Sequence, residues 1–153
     1  ISRGLVGSEM CIRDRNTAAG LCYTSGTTGN PKGALYSHRS TVLHALTTSL
    51  NLGPSLGDGM KVLPVVPLFH VNAWGLPYAA PLTGTSLIFP GPNLDGASLF
   101  DLMDQENVNS AWGVPTVWLG LLEEIRKQER VPSQFQNVVI GGSAAPKSMI
   151  EEF

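Results

Sequence analysis

Residues 110–140 read SAWGVPTVWLGLLEEIRKQERVPSQFQNVVI and predict a strand, a helix and a second strand. Pro115 suits the first turn of a helix, where its missing N–H costs no hydrogen bond. The apolar side chains that follow are spaced i, i+3, i+4 and i+7, as on one face of a helix: Trp118, Leu121, Leu122 and Ile125. Two strands separated by such a helix are expected to be parallel and joined by a right-handed crossover.

The same alternation continues toward the start of the chain. Apolar segments at 62–66, 86–89 and 136–140 are predicted strands, and Pro64 should push the first of them toward a sheet edge or a bulge. Strands that alternate with helical segments predict an α/β fold with a mainly parallel sheet flanked by helices.

Two further helices are predicted from capping residues and apolar spacing. Ser37 can cap a helix in which Leu43, Leu46 and Leu50 form an apolar stripe that Val42 and Ala45 widen. A second helix is expected to open at Ser98, which has a capping-box spacing to Asp101; its inner face would carry Leu99, Leu102 and Met103. Another helix should begin near Pro146.

Three predicted strand ends run into irregular sequence, at residues 67–74, 113–115 and 141–146. In an open parallel sheet, ligands bind beyond the carboxyl ends of the strands. We therefore expect these three loops to lie at one edge of the sheet and to form the functional site.

The composition limits the classes of function. Ten basic against twelve acidic residues give a net charge of −2, which disfavours extended nucleic-acid binding. The charged fraction is 14%, below the roughly 25% of an average soluble protein, so much of the surface should meet other protein. No apolar run is long enough for a transmembrane segment. Two cysteines make no disulfide framework, and the default location is the cytoplasm.

The domain organisation is expected to be one partial domain behind a short extension. Residues 1–15 carry three of the six arginines and show no helix or strand period, so they are predicted to be non-native or disordered. Residues 16–153 are predicted to form part of a larger domain, because residues 146–153 read as a helix that is cut off.

The stretch from Tyr23 to Gly33 reads YTSGTTGNPKG and carries the donors that a polyphosphate needs. It offers four hydroxyls, one ammonium at Lys32, and glycines that let backbone N–H groups approach a ligand. It differs from the Walker loop, because Pro31 precedes the lysine and Gly33 follows it. On composition alone, a solvated turn rich in Gly, Ser and Thr remains an alternative.

These eleven residues resemble the phosphate-binding loop of the adenylate-forming enzymes, the acyl-CoA synthetase superfamily. The segments PLFHVNAWGLPY at 67–78, GVPTVWL at 113–119 and VVIGGSAAPKSMI at 138–150 resemble its medium- and long-chain fatty acyl-CoA synthetase branch. The resemblance implies a fatty acid–CoA ligase that uses ATP and Mg²⁺, with coenzyme A as co-substrate. The family's later motifs and C-terminal domain are not in this sequence, so the segment alone is expected to be inactive.

The resemblance also implies roles for particular residues. Thr24 would contact magnesium, and the phosphate-binding residues would be Ser25, Gly26, Thr27, Thr28, Gly29 and Lys32. His70 would orient the carboxylate or the α-phosphate, because a fatty carboxylate is already ionised at pH 7 and needs no base. Val71 and Trp74 would lie at the mouth of the acyl tunnel. A flat adenine or acyl group would lie against Gly142, Ser143 and Ala144.

Alternatives to these roles stay open at this point. His70 read alone is a packed or solvated histidine, and Trp74 a core aromatic. Ser143 is not a hydrolase nucleophile, because Ala145 breaks the G-x-S-x-G pattern. The whole chain could instead serve as a non-catalytic nucleotide-binding module, as a ligase for a short or sulfur-bearing carboxylate, or as a structural α/β fragment. For the full-length enzyme, a homodimer and a peripheral membrane contact are compatible with the sequence.

Overall fold

The computed structural model describes residues 14–24 and 29–153. Four parallel strands form the central sheet, in the order β4-β3-β5-β6. They are β3 (Lys61–Pro64), β4 (Ser86–Leu87), β5 (Ser110–Gly113) and β6 (Asn137–Ile140). Ahead of them, β1 (Ala18–Thr24) and β2 (Lys32–Ser37) pair as a separate antiparallel hairpin. The predicted fold class, a mainly parallel sheet flanked by helices, is confirmed.

Five helices cover the two faces of the sheet. They are α1 (His38–Asn51), α2 (Leu76–Thr83), α3 (Gly96–Gln105), α4 (Pro115–Gln128) and α5 (Lys147–Glu152). Side chains alternate along each strand, so Leu63 and Ala111 face a core built with α3, α4 and Met149 of α5. Val62 and Trp112 face the opposite core, built with α1 and α2. The result is three layers, with helices on both sides of the sheet.

Helix α4 matches its sequence pattern. Trp118, Leu121 and Leu122 are buried against the sheet, and Pro115 occupies the first turn. The cap of α1 is also as predicted. The Ser37 hydroxyl accepts from the Ser40 N–H, and the Ser40 hydroxyl accepts from the Ser37 N–H.

The apolar stripe predicted for α1 does not face the core. Leu43, Leu46 and Leu50 are 52%, 44% and 84% exposed, and the buried positions of the helix are Ala45 and Thr48. Of the predicted stripe only Ala45 is buried, because small side chains fit against the closely packed α2.

Two further sequence expectations are corrected. Strand β3 is an inner strand, not an edge strand: Pro64, which lacks an N–H, is its last residue, and the Val65 N–H that follows still donates to the Trp112 carbonyl at 2.8 Å. Helix α3 begins at Gly96, capped by Asp95, whose carboxylate accepts from the Ser98 N–H. Ser98 therefore lies inside the first turn. Strand β4 is shorter than predicted, and β6 is half-buried because it is an edge strand.

No helix within residues 14–24 and 29–153 combines the length and the apolar character that crossing a bilayer requires. The free thiol of Cys22 is buried.

Candidate active site

The hairpin β1–β2 presents the ends of the predicted phosphate loop. Thr24 and Lys32 lie opposite each other at its tip, and the Thr24 hydroxyl donates to the Lys32 carbonyl at 3.4 Å. Both residues are exposed, as is Gly29 on the returning side. Ser25, Gly26, Thr27 and Thr28 lie outside the described residues, so their predicted contacts with phosphate stay predictions. The polar tip leaves the Thr24 hydroxyl and the Lys32 ammonium open to a ligand.

The segment after β3 forms a left-handed helical turn, Val71–Trp74, immediately after His70. All four residues have positive φ, between 46° and 56°. A left-handed conformation costs about 1–2 kcal/mol per residue for most side chains, and more for a β-branched one such as Val71. Such a run of non-glycine residues persists only where its surroundings hold it.

Backbone bonds and packing hold this turn in place. The Ala73 N–H donates to the His70 carbonyl at 3.0 Å, and the Gly75 N–H donates to the Asn72 carbonyl at 2.9 Å. Ala73 is fully buried, while His70 is exposed and Trp74 is half-buried. Gly75 ends the turn at φ 78°, with the His44 ring so close that a side chain there would clash. His70 is thus presented to solvent from a turn whose backbone is fixed.

Trp74 connects this turn to the loop after β6. Its indole lies against Gly141: a Cβ built on that glycine would be 2.8 Å from the Trp74 Cη2. Gly142 follows at φ 81°, with Val114 beside it, and Gly142, Ser143 and Ala144 are exposed. The three loops predicted to share one edge do meet there: residues 67–74 touch 141, and 142 touches 114. The Trp74 indole lies against Gly141, and the predicted contacts of Gly142, Ser143 and Ala144 with a flat adenine or acyl group stay predictions.

The hairpin contacts the turn after His70 through residues that the sequence did not single out as functional. The Cys22 thiol donates a hydrogen bond to the Asn72 Oδ1 at 3.4 Å. Gly20, on the same face of β1, faces the Asn72 amide and the Tyr78 hydroxyl. Asn72 tolerates left-handed backbone better than most residues, which is the one local signal that could have marked it. Asn72 and Cys22 are 50 positions apart in the sequence, so no local sequence pattern indicates their contact.

A cavity of about 160 Å³ lies where the hairpin, α1 and the left-handed turn meet. Val71 lines it, and its predicted place at the mouth of an acyl tunnel stays a prediction. The other lining residues are Tyr36, Ser40, Thr41, His44, Asn72, Gly75 and Tyr78. Although most of these residues carry a polar group, the surface that they present to the cavity is mainly apolar, as in most small-molecule pockets.

Among the described residues of this site, the Thr24 hydroxyl is the group that could bind magnesium. Within residues 14–24 and 29–153, no group of three or more His, Cys, Asp or Glu side chains could hold a metal ion. Mg²⁺ commonly keeps several waters and uses one or two protein oxygens together with substrate phosphates. The exposed Thr24 hydroxyl fits that mode of binding.

Carboxyl groups with displaced pKa values lie away from this site. The Arg130 guanidinium, and then the Ser133 N–H, hold the pKa of Asp104 below its usual value. Hydrogen bonds from Gln128 and Lys127 lower the pKa of Glu124. Both carboxylates sit on α3 and α4, on the other side of the sheet from the hairpin and α1, and serve packing. The chemistry of the site therefore rests on hydroxyl, imidazole, ammonium and backbone groups.

Comparison with known proteins agrees with this geometry. The family described as AMP-binding enzyme matches residues 7–153. The chain is 56% identical over 140 residues to a medium-chain-fatty-acid–CoA ligase from Ectopseudomonas oleovorans, covering 92% of this chain and 26% of that protein. It is 50% identical over 155 residues to a 3-methylmercaptopropionyl-CoA ligase from Ruegeria pomeroyi, covering 100% and 28%.

A solved structure shares the fold. O-succinylbenzoate coenzyme A synthetase from Bacillus subtilis, in complex with ATP and magnesium ion, superposes with a TM-score of 0.78 at 27% identity. The match covers 91% of this chain and 28% of that one. The chain spans about a quarter of the length of the curated relatives it matches. The resemblance found in the sequence is confirmed, and the chain belongs to the AMP-binding enzyme family.

Proposed function

We propose that this chain is part of a fatty acid–CoA ligase. In the first step, an oxygen of the fatty carboxylate forms a bond to the α-phosphorus of ATP, and the bond to the β-phosphate bridging oxygen breaks. Pyrophosphate leaves and acyl-AMP remains. In the second step, the thiolate of coenzyme A attacks the acyl carbon, and AMP leaves with the bonding electrons.

One observation carries the proposal: three separate segments meet at the carboxyl end of the sheet. The Cys22–Asn72 bond joins the phosphate-loop hairpin to the turn that follows His70, and Trp74 joins that turn to Gly141. A solvated turn with no function would need no such convergence. The identity of 56% to a medium-chain-fatty-acid–CoA ligase supports the choice of substrate class.

The phosphate-binding residues are assigned to the hairpin. Thr24 and Lys32 face each other at its tip, where a hydroxyl and an ammonium can meet the β- and γ-phosphates. Ser25, Gly26, Thr27, Thr28 and Gly29 complete the loop between them. Mg²⁺, held by the Thr24 hydroxyl and the phosphates, would neutralise phosphate charge.

His70 is assigned to orientation of the carboxylate or the α-phosphate. It is exposed, and its extended backbone directly precedes the left-handed turn, so its imidazole is available to a ligand at the edge of the sheet where the loops meet. The substrate is already an anion, so the imidazole acts as a hydrogen-bond donor rather than a base.

The acyl and adenine groups are assigned to the loops beside His70. Val71 lines the cavity, and Trp74, three residues later, packs on Gly141. Gly142, Ser143 and Ala144 are exposed and small, so a flat ring can approach their backbone. A cytoplasmic location is proposed too, in agreement with the free Cys22 thiol.

Fatty-acid-dependent exchange of labelled pyrophosphate into ATP, measured on the full-length ligase that carries this segment, tests the proposal. We expect exchange that requires both ATP and a fatty acid, and loss of exchange in His70→Ala. Retention of ATP with no exchange for any carboxylate would instead identify a non-catalytic nucleotide-binding module.

A second substrate class has a specific observation behind it. The Ruegeria relative, named for a short sulfur-bearing acid, aligns over the entire chain at 50% identity. In the same exchange assay, a rate with 3-methylmercaptopropionate well above that with octanoate would select this class.

A further inference from the structure

We propose that Asn72 is a positioning residue, which acts through its bond to Cys22 to fix the His70 turn against the phosphate-loop hairpin. The inference rests on the proposed adenylating function, since it concerns how two parts of that site are aligned. It starts from the burial of Cys22, which is 6% exposed although the other described positions of β1 are open or half-buried.

The contact joins two groups that must work together. Cys22 is two residues before Thr24 on the same face of β1, and Asn72 is two residues after His70. The thiol and the amide oxygen are 3.4 Å apart. Any movement of the hairpin relative to the turn changes the distance between the predicted phosphate site and the imidazole, and this bond opposes that movement.

The hairpin is not part of the central sheet. In the described part of the chain it shares no strand pairing with the four-stranded sheet, and its contacts include α1 and, through Gly20, the Tyr78 side chain of α2. A two-stranded hairpin by itself is only marginally stable in water. The face formed by Gly20 and Cys22 lies against Asn72 and Tyr78, and Asn72 supplies a polar side-chain bond between the hairpin and the turn after His70.

The left-handed backbone explains why asparagine is suited to this position. At φ 51° and ψ 48°, Asn72 is in the region that asparagine tolerates best after glycine. A residue with a longer or branched side chain would add strain to the turn and would not place an amide oxygen at the thiol. The same residue thus lowers the strain of the turn and anchors the hairpin.

The test uses the full-length ligase and four variants: Cys22→Ala, Cys22→Ser, Asn72→Gly and the double variant Cys22→Ala/Asn72→Gly. Glycine keeps the left-handed backbone while removing the amide. Pyrophosphate exchange gives kcat and KM for ATP and for the acid, with kcat expressed per active site titrated by acyl-AMP formation. That correction removes any loss of folded protein from kcat.

Misalignment of bound groups should lower kcat and leave both KM values nearly unchanged. Because a thiol is a weak donor, loss of this bond predicts a drop of about threefold in kcat for Cys22→Ala and for Asn72→Gly. The double variant should be no slower than the slower single variant, because both remove the same bond. Cys22→Ser, which keeps a donor, should stay within about twofold of wild type.

Val108→Ala is the control for a purely structural effect. Val108 is fully buried in the opposite core, near the amino end of β5, and its truncation should lower the melting temperature without changing kcat per active site. Unchanged kcat in both single variants, multiplicative losses in the double variant, or an equal loss in Val108→Ala would each overturn the positioning role. A wild-type enzyme with no carboxylate-dependent exchange would overturn the proposed function and this inference together.

Discussion

The contact between Trp74 and Gly141 can be tested by adding one methyl group. Gly141 does not have a positive φ, so alanine meets no backbone strain there. Its Cβ would lie 2.8 Å from the Trp74 Cη2, whereas carbon atoms in contact are about 3.5–4.0 Å apart. The indole must therefore move by about 1 Å, and overpacking of this kind costs about 1–3 kcal/mol of unfolding free energy.

We expect Gly141→Ala to change the choice of substrate more than the binding of ATP. If Trp74 borders the acyl group, a displacement of about 1 Å should shift the ratio of kcat/KM for long and short acids by about tenfold. The assay is pyrophosphate exchange with a series of acids on the full-length enzyme. Trp74→Leu in the Gly141→Ala background should recover the lost stability, because the smaller side chain leaves room for the methyl group.

Gly120→Ala provides the matched control. A Cβ on Gly120 would be 3.5 Å from its nearest neighbour, an ordinary contact, so the substitution adds the same methyl group without displacing an indole. The reasoning about Trp74 would be refuted if Gly141→Ala left both the chain-length profile and the stability as they are in Gly120→Ala.

The remaining predictions concern stability and ATP. Gly96→Ala should lower the unfolding free energy, measured by denaturant titration, by about 3 kcal/mol or more. Its Cβ would be 2.0 Å from the Gly120 carbonyl oxygen, and only backbone movement could relieve that clash. Gly120→Ala should be tolerated in the same titration. Asp104→Asn should lower the unfolding free energy at pH 7. The difference from wild type should shrink as the pH falls below 3.8 through the lowered pKa of Asp104, because a protonated carboxyl no longer pairs with Arg130. Denaturation at several pH values measures this difference, and a difference independent of pH would contradict the prediction. Lys32→Ala should raise the KM for ATP about tenfold or more with little effect on the KM for the acid; equal KM values for ATP would remove the assigned role of this cation.

Regular features were predictable where one local pattern decided them. The stripe in α4 and the Ser37 cap needed only spacing within one turn or two, and both are present. The alternation of strands and helices predicted the parallel sheet and, through it, the shared edge of the loops. These inferences depend on short-range order, which a sequence records directly.

The sequence-based predictions that were wrong concern which structural element packs against a given residue. In the stripe predicted for α1, Ala45 packs inward but Leu43, Leu46 and Leu50 are exposed, because helix spacing does not say which neighbour is present. Pro64 was expected at an edge, yet a strand that ends at proline can lie inside a sheet. The Cys22–Asn72 bond lay beyond prediction, because no periodic signal relates two residues so far apart.

The separation of the hairpin from the main sheet has a consequence for amide hydrogen exchange. Backbone N–H groups of β1 and β2 depend on one partner strand each, so they can open locally while β3 and β5 stay intact. Exchange should therefore be fast in the hairpin and slow in the inner strands. A nucleotide that contacts both the hairpin and the sheet edge should slow exchange in the hairpin selectively, so deuterium uptake there would report occupancy before any chemistry takes place.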